Sequence, residues 1–337
     1  MADTSFRPDY ILAADMGGTK TNISVYDSKA DERNPLLTKS FRNREFASFE
    51  VLLGEFLQTL AEGSYVLSMG VAGPVDRRRA ELTNINWVIE EEQIEKNLGL
   101  QSVWLLNDLK AGAEAIEILN EDELWTIMEG RPDAEGSIAV IAPGTGLGEG
   151  YITFDQGRAK THACEGGHTD FAPRNDQQAG LLRFLMDKYE HISVERVCSG
   201  IGIPEIYEYL YSSGQFIETA EHHEELQNSH DKNPIIFSHA MDESETCVVC
   251  EDVLRIFLEV LGAEAGNLAL KIGAKGGVYI GGGIPPKIRR AFESEHFKKA
   301  FLDKGRHKDY MEQIPVRMIL NSESPLLGAA HYAFKKI

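Results

Sequence analysis

Residues whose types and spacing suit chemistry on a phosphate fall at three places in this 337-residue chain. The first is Asp15-Met16-Gly17-Gly18-Thr19-Lys20-Thr21. Paired glycines let the backbone bend without a Cβ clash and leave amide N–H groups free to face an anion. Thr19 adds a hydroxyl, and Asp15 adds a carboxylate suited to a nearby metal. The second is Gly144-Thr145-Gly146-Leu147-Gly148, a related turn about a hundred residues on. The third is Asn107-Asp108, which ends the apolar run 102–106 and leads at once into Leu109, Ala111, Ala113 and Ala115. That order puts a carboxylate at the carboxyl end of a strand, where open α/β sheets hold their ligands. Each place also has a plainer reading. A tight hairpin needs glycine with no ligand involved, and an acid before a helix serves as its cap.

The elements around these residues decide what the turns resemble. Residues 11–14 are apolar, and after the first turn Ile23 and Val25 alternate with Asn22, Ser24 and Tyr26. The second turn likewise lies between two strand-like runs, 137–142 and 149–154. Walker and dinucleotide fingerprints open a helix; here a strand follows both turns, which excludes them. Two strand–turn–strand units of one design predict two similar domains facing one phosphate chain. A third turn, Gly281-Gly282-Gly283, follows the run 277–280 and is expected to open a helix near Lys287. A helix N-terminus there would bring a flat adenine or ribose close to the backbone, or else only connect strand to helix tightly.

Between these landmarks, residues 36–41 and 65–71 read as strands. Phe49, Leu52, Leu53, Phe56 and Leu60 have helical spacing behind Ser48 as a cap. Residues 120–135 are charged and connective, and mark the crossover between domains. Residues 251–272 form a long helix stopped by Gly273, residues 316–320 a last strand, and residues 325–335 a closing helix that returns to the first domain. The predicted domains are 1–118 with 321–337, and 119–320.

Several polar stretches have two readings. Leu82-Thr83-Asn84-Ile85-Asn86-Trp87 suits a sugar, whose hydroxyls want amides and whose apolar face wants a ring, or is an edge strand with Trp87 in the core. Glu165-Gly166-Gly167-His168-Thr169-Asp170 is a loop dense in hydrogen-bonding groups. Glu195-Arg196 reads as an ordinary surface pair. His222, His223 and His230 lie in the Glu- and His-rich segment 214–232, which reads as a solvated insert because no cysteine or fixed ligand spacing accompanies them. Cys247-x-x-Cys250 lacks a second pair and precedes an apolar helix, which favours packing over zinc or redox chemistry.

The formal charge of -19 argues against nucleic acid or anionic membranes as partners. A phosphate site would then need N–H groups, a basic residue and a divalent cation for compensation. No run matches a signal peptide or a bilayer span, and four cysteines are too few for a disulfide framework, so a reducing cytoplasm is expected.

Taken together, ADMGGTKT, LTNINW, LLNDLKAGAEAI, APGTGLGEGY, EGGHTDFAP, SVERVCSG and GGVYIGGGIPPK resemble, in order and spacing, the bacterial-type glucokinases of the hexokinase/actin-like ATPase superfamily. The resemblance runs from Ile11 to about Ala330. It implies an α/β, two-domain, actin-like (ribonuclease H-like) fold with a five-stranded mixed sheet in each domain and an interdomain cleft. It implies ATP, Mg²⁺ and glucose as ligands, and a homodimer. Asp108 matches the catalytic base, and Asn107, Glu165, His168 and Glu195 the glucose-binding residues. Ala14, Asp15, Met16, Gly17, Gly18 and Thr19, with Gly144, Thr145 and Gly146, match the phosphate segments. Gly281, Gly282 and Gly283 match the adenosine segment. Asp15 would contact Mg²⁺ through water. Two positions depart from the pattern: Lys20 stands where members often carry Asn, and Ala14 where they often carry Gly. The cysteine-rich zinc motif of the other bacterial sugar-kinase and repressor group is absent. Other readings are a kinase for mannose, fructose or an N-acetylated amino sugar, a non-catalytic sugar-responsive regulator, and a polymerising actin-like ATPase.

Overall fold

An apolar run at residues 11–14 and an alternating one at residues 22–26 flank a glycine turn, and together they build an antiparallel hairpin. Its strands are β1 (Tyr10–Met16) and β2 (Lys20–Asp27), paired from Tyr10↔Asp27 to Met16↔Thr21. The computed structural model describes residues 7–82, 85–214, 220–242, 244 and 247–337, without the side chains of 220–223. Within them the chain forms two compact units, residues 1–120 with 321–337, and residues 121–320.

In the first unit β3 (Leu37–Arg42) adds antiparallel to β2, and β4 (Tyr65–Val71) adds parallel to β1 on its other side. The short strands β5 (Val75–Asp76), β6 (Arg79–Leu82) and β7 (Trp87–Glu90) make a separate three-stranded sheet. β8 (Ser102–Asn107) then pairs parallel with β4, giving the order β3-β2-β1-β4-β8. β1 and β4 are buried along nearly their whole length because helices cover both faces. On one face Phe49, Leu52, Leu53 and Phe56 of the helix Phe49–Leu57 pack on Leu12, Leu67 and Met69. That helix is capped by Ser48, whose side chain accepts from Val51 N–H. On the other face Leu326, Ala329, Ala330 and Ala333 of the helix Ser324–Lys336 pack on Ile11, Ala13, Tyr26 and Val66. Burying each large side chain contributes about 1.5–3 kcal/mol.

The second unit repeats the plan with β9 (Leu124–Met128), β10 (Ile138–Pro143), β11 (Leu147–Asp155), β12 (Arg158–Cys164), β13 (Gly277–Ile280) and β14 (Val316–Ile319). The order is β12-β11-β10-β13-β14-β9. β11 is antiparallel to both β10 and β12, β13 and β14 run parallel to β10, and β9 closes the edge antiparallel to β14. The helix Val248–Ile272 buries Phe257, Leu258 and Leu261 in this unit's core.

Two expectations need correction. The second sheet has six strands, not five, because the charged stretch after residue 120 contains β9. Its Leu124, Trp125 and Ile127 supply strand-forming side chains that the acids before them obscure. After Gly283 the chain enters a 3₁₀ segment, Pro285–Glu293, kinked at Ile288, in place of an α-helix. The dipole of a long helix is therefore not available there. Among the described residues no helix is long and apolar enough to cross a membrane.

The helix Ser324–Lys336 also touches the helix Asp108–Glu114. A Cβ on Gly328 would run into the Ala111 carbonyl. Gly328→Ala should therefore overpack this contact and lower stability by about 1–3 kcal/mol, read as a reduced urea midpoint with unchanged m-value.

Candidate active site

The first glycine turn is closed by Gly17 N–H donating to Lys20 O at 3.0 Å. Asn43, which follows β3, holds it from beneath. Its backbone N–H donates to Thr19 O at 3.0 Å and its Nδ2 to Gly17 O at 2.8 Å. Its Oδ1 accepts from Thr21 Oγ1 at 2.7 Å. Both Asn43 and Thr21 are buried. Sequence reasoning missed Asn43, since a single Asn before a short 3₁₀ turn carries no pattern. The turn itself does not require its first glycine: Gly17 is not left-handed, and a Cβ there would meet only Lys20 O, at 3.7 Å. Gly144 has no heavy atom within 4 Å of such a Cβ. Space kept open at both turns is what close approach of a ligand to the backbone needs. Ala14 and Met16 are wholly buried in the core, which limits what they can offer a ligand to the backbone. Thr19 and Lys20 are exposed.

Asp15 lies on β1 opposite Gly70 of β4, and Asn107 ends β8 opposite Val71 of β4. A Cβ on Gly70 would meet Ala111 Cβ at 2.9 Å and Asp108 Cα at 3.9 Å. Glycine at 70 thus lets the Asp108 helix approach the strand that carries its charge toward Asp15. The alternative reading of Asp108 as the cap is settled by Asn107. Asn107 is the N-cap, and its Oδ1 accepts from Lys110 N–H at 3.0 Å. Asp108 Oδ1 accepts from Leu109 N–H at 2.8 Å and Asn107 Nδ2 at 3.1 Å.

Loss of water, and then the Asp108 charge, push the Asp15 carboxyl up to about 6, with Lys20 pulling it back. Loss of water also raises Asp108, opposed by Leu109 N–H. The Asp108 side chain keeps contact with solvent. Two carboxylates so placed are suited to a hard divalent cation, which takes oxygen ligands and would relieve their repulsion.

In the second unit Glu195 lies in a 3₁₀ turn, Val194–Arg196. Its Oε2 accepts from Leu147 N–H at 2.8 Å, and it lies where a Cβ on Gly146 would be. Gly200 N–H donates to Gly144 O at 2.8 Å, and Ser199 Oγ to Glu195 O at 2.6 Å. The surface-pair reading of Glu195 does not hold. Arg196 stacks on Tyr189, 4.3 Å from the ring centre, while Glu195 is tied to the second glycine turn. Glu165 precedes and His168 ends a 3₁₀ turn, Gly166–His168, with both side chains exposed and His168 Nε2 3.8 Å from Glu165 Oε2. The loop is pinned by Thr169 N–H and Oγ1 on Gly166 O, and by His191 Nε2 against His168 O at 2.9 Å. Gly282 is left-handed, φ 83°, and backs onto the Pro143 carbonyl at the end of β10, which brings the third turn beside the second.

Among the described residues, the remaining polar stretches do not join these residues. Trp87 is in the core of the first unit, while Thr83 and Asn84 lie outside the described residues. The side chains of His222 and His223 also lie outside them, and His230 is exposed after the helix Ala220–Asn228. Cys247 and Cys250 are buried at the head of the long helix.

Two outcomes follow for the first turn. The folded Asp15 carboxyl holds its proton more tightly than the unfolded one, so stability falls as pH rises from 3.8 to about 6. Asp15→Asn should then raise the melting temperature of the ligand-free protein at pH 7, with a smaller gain at pH 4. Asn43→Ala leaves Gly17 O and Thr21 Oγ1 without their partner; it should cost about 1–3 kcal/mol in denaturant unfolding.

A family model described as Glucokinase matches residues 12–336. The glucokinase of Nostoc punctiforme is 35% identical over 334 residues, covering 95% of this chain and 97% of the relative. That of Cronobacter sakazakii is 33% identical over 324 residues, covering 95% of each. Among solved structures, a glucokinase from an Antarctic psychrotroph superposes with a TM-score of 0.81 at 30% identity, over 99% of this chain and 100% of that one. A ROK family glucokinase from Streptomyces griseus, crystallised with glucose and AMPPNP, gives 0.61 at 21% identity over 95% and 98%, a likeness of fold. With a matching model and relatives above 30% identity across nearly their full length, the chain belongs to the glucokinase family.

Proposed function

We infer that this protein is an ATP-dependent glucokinase, forming glucose 6-phosphate and ADP from D-glucose and ATP on an actin-like ATPase fold. The observation that carries the reading is full-length family membership. The Asn107-Asp108 pair supports it. Asn107 caps the helix, so the carboxylate at the strand end is available for other work.

Phosphoryl transfer asks for alignment of the attacking oxygen and stabilisation of charge. Asp108 accepts the proton of the sugar 6-hydroxyl as that oxygen attacks the γ-phosphorus. Its raised pKa makes it a stronger base than an ordinary carboxylate, with its acid limb above the usual 3.8. Asn107, Glu165, His168 and Glu195 bind the other hydroxyls and fix the ring so that one hydroxyl is presented. A site that meets hydroxyls with carboxylates discriminates against sugars that lack them, because the unmet acceptor costs about 1–3 kcal/mol. The open turns at Gly17 and Gly144 give backbone N–H groups to the phosphates, with Gly18, Thr19, Thr145 and Gly146 beside them, and Gly281–Gly283 lies along the adenosine. Asp15 is the residue that would hold Mg²⁺, through water; when bound, the ion neutralises charge on the phosphates. A homodimer in a reducing cytoplasm is the assembly and setting that go with this reading.

The test is ADP release with ATP and Mg²⁺ across a hexose panel. Wild-type protein should act on glucose. Asp108→Asn should lose about 10²- to 10⁴-fold in kcat while glucose Kd stays near wild type. Equal turnover by the variant removes Asp108 as the base, and activity confined to another hexose replaces the substrate.

A further inference from the structure

Glu149 has no part in the roles assigned above, yet it lies directly under the Glu165–His168 loop. It stands on β11, in register with Cys164 of β12, the residue just before that loop. Its side chain is 1% exposed. Oε2 occupies the space where a Cβ on Gly166 would be; that Cβ would also lie 2.6 Å from Glu149 Cδ and 3.1 Å from Glu149 Cβ. Oε1 is buried with no hydrogen-bond partner among the described residues. A buried polar atom left unmet is costly, and an apolar side chain of similar size would avoid the cost.

The groups facing this carboxyl come from several elements. Glu264, on the helix Val248–Ile272, is the nearby like charge. Glu264 itself is held by Asn267 Nδ2 at 3.0 Å and by Lys271 Nζ at 3.6 Å. Lys304 donates to Asn267 Oδ1 at 2.7 Å and Ala263 O at 2.8 Å, which joins it to the same network. The thiols of Cys198 and Cys164 complete the surroundings, each pushed up chiefly by burial and further by the Glu149 charge.

We propose that Glu149 is a positioning residue for the sugar loop, its buried carboxyl forming the floor on which Gly166 rests and so setting where Glu165 and His168 stand. Gly166 has no Cβ because the floor is already there. The claim about sugar rests on the glucokinase reading, whereas the claim about the loop does not. Burial and the Glu264 charge push the Glu149 carboxyl up to about 7, against a partial pull from Lys271. The floor is therefore neutral below that pH. Above it the carboxyl becomes a buried charge beside a like charge, which loosens the loop and weakens sugar binding as pH rises.

The experiment compares the full-length wild type with Glu149→Gln, which keeps shape without titrating, and Glu149→Ala, which removes the floor. Hydrogen exchange of residues 165–169 and glucose binding by calorimetry are measured at pH 6 and pH 8.5. Glu149→Ala should speed exchange in the loop by about tenfold or more while the rest of the second unit is unchanged. It should raise glucose KM by about tenfold with kcat altered far less. Wild type should show faster loop exchange and weaker glucose binding at pH 8.5 than at pH 6, and Glu149→Gln should not. Unchanged loop exchange in Glu149→Ala overturns the proposal. Should that variant fail to fold, loop exchange in Glu149→Gln that follows the wild-type pH dependence overturns it equally. Wild type that binds no glucose refutes the glucokinase reading, and the exchange results still decide the role of the floor.

Discussion

The Asp15 carboxylate has lost water and feels the charge of Asp108, and the first unit is arranged to hold the two in that relation. The parallel register of β1, β4 and β8 brings the ends of three strands level. Gly70 removes the side chain that would push the Asp108 helix away. Asn107 takes over the capping that an acid at this position would otherwise perform. Asn43 keeps the adjoining turn from relaxing. Keeping these like charges near one another costs stability, which Lys20 relieves only in part.

The second unit answers with a different device on the same strand plan. Glu195 is spent partly on the backbone N–H of Leu147, within the second glycine turn. The acid assigned to a sugar hydroxyl and the turn assigned to phosphate thus share one hydrogen bond.

What could be read from the chain was the punctuation: glycine turns after apolar runs, an acid after a strand, and a long apolar helix stopped by glycine. Those signals are local, and both hairpins formed as such periodicity requires. The misses were of two physical kinds. β9 is a partly exposed edge strand next to acids, so neither burial nor alternation marked it. Asn43 and Glu149 act through contacts with residues 26 and 17 positions away, at Gly17 and Gly166, and nothing in their immediate neighbours announces a partner. At the Gly281 turn proline and glycine fit either a helix or a 3₁₀ segment, and the chain takes the latter, kinked at Ile288.

The helix Ser324–Lys336 is the last element of this chain, and it covers Ile11, Ala13, Tyr26 and Val66 on the first sheet. A ribosome makes those strands first and this cover some three hundred residues later. For most of synthesis, then, one face of the N-terminal sheet emerges without its lid, and that unit completes itself only when the nascent chain has delivered the whole of the other. Vectorial folding, domain by domain from the N-terminus, is closed to this architecture for its first unit.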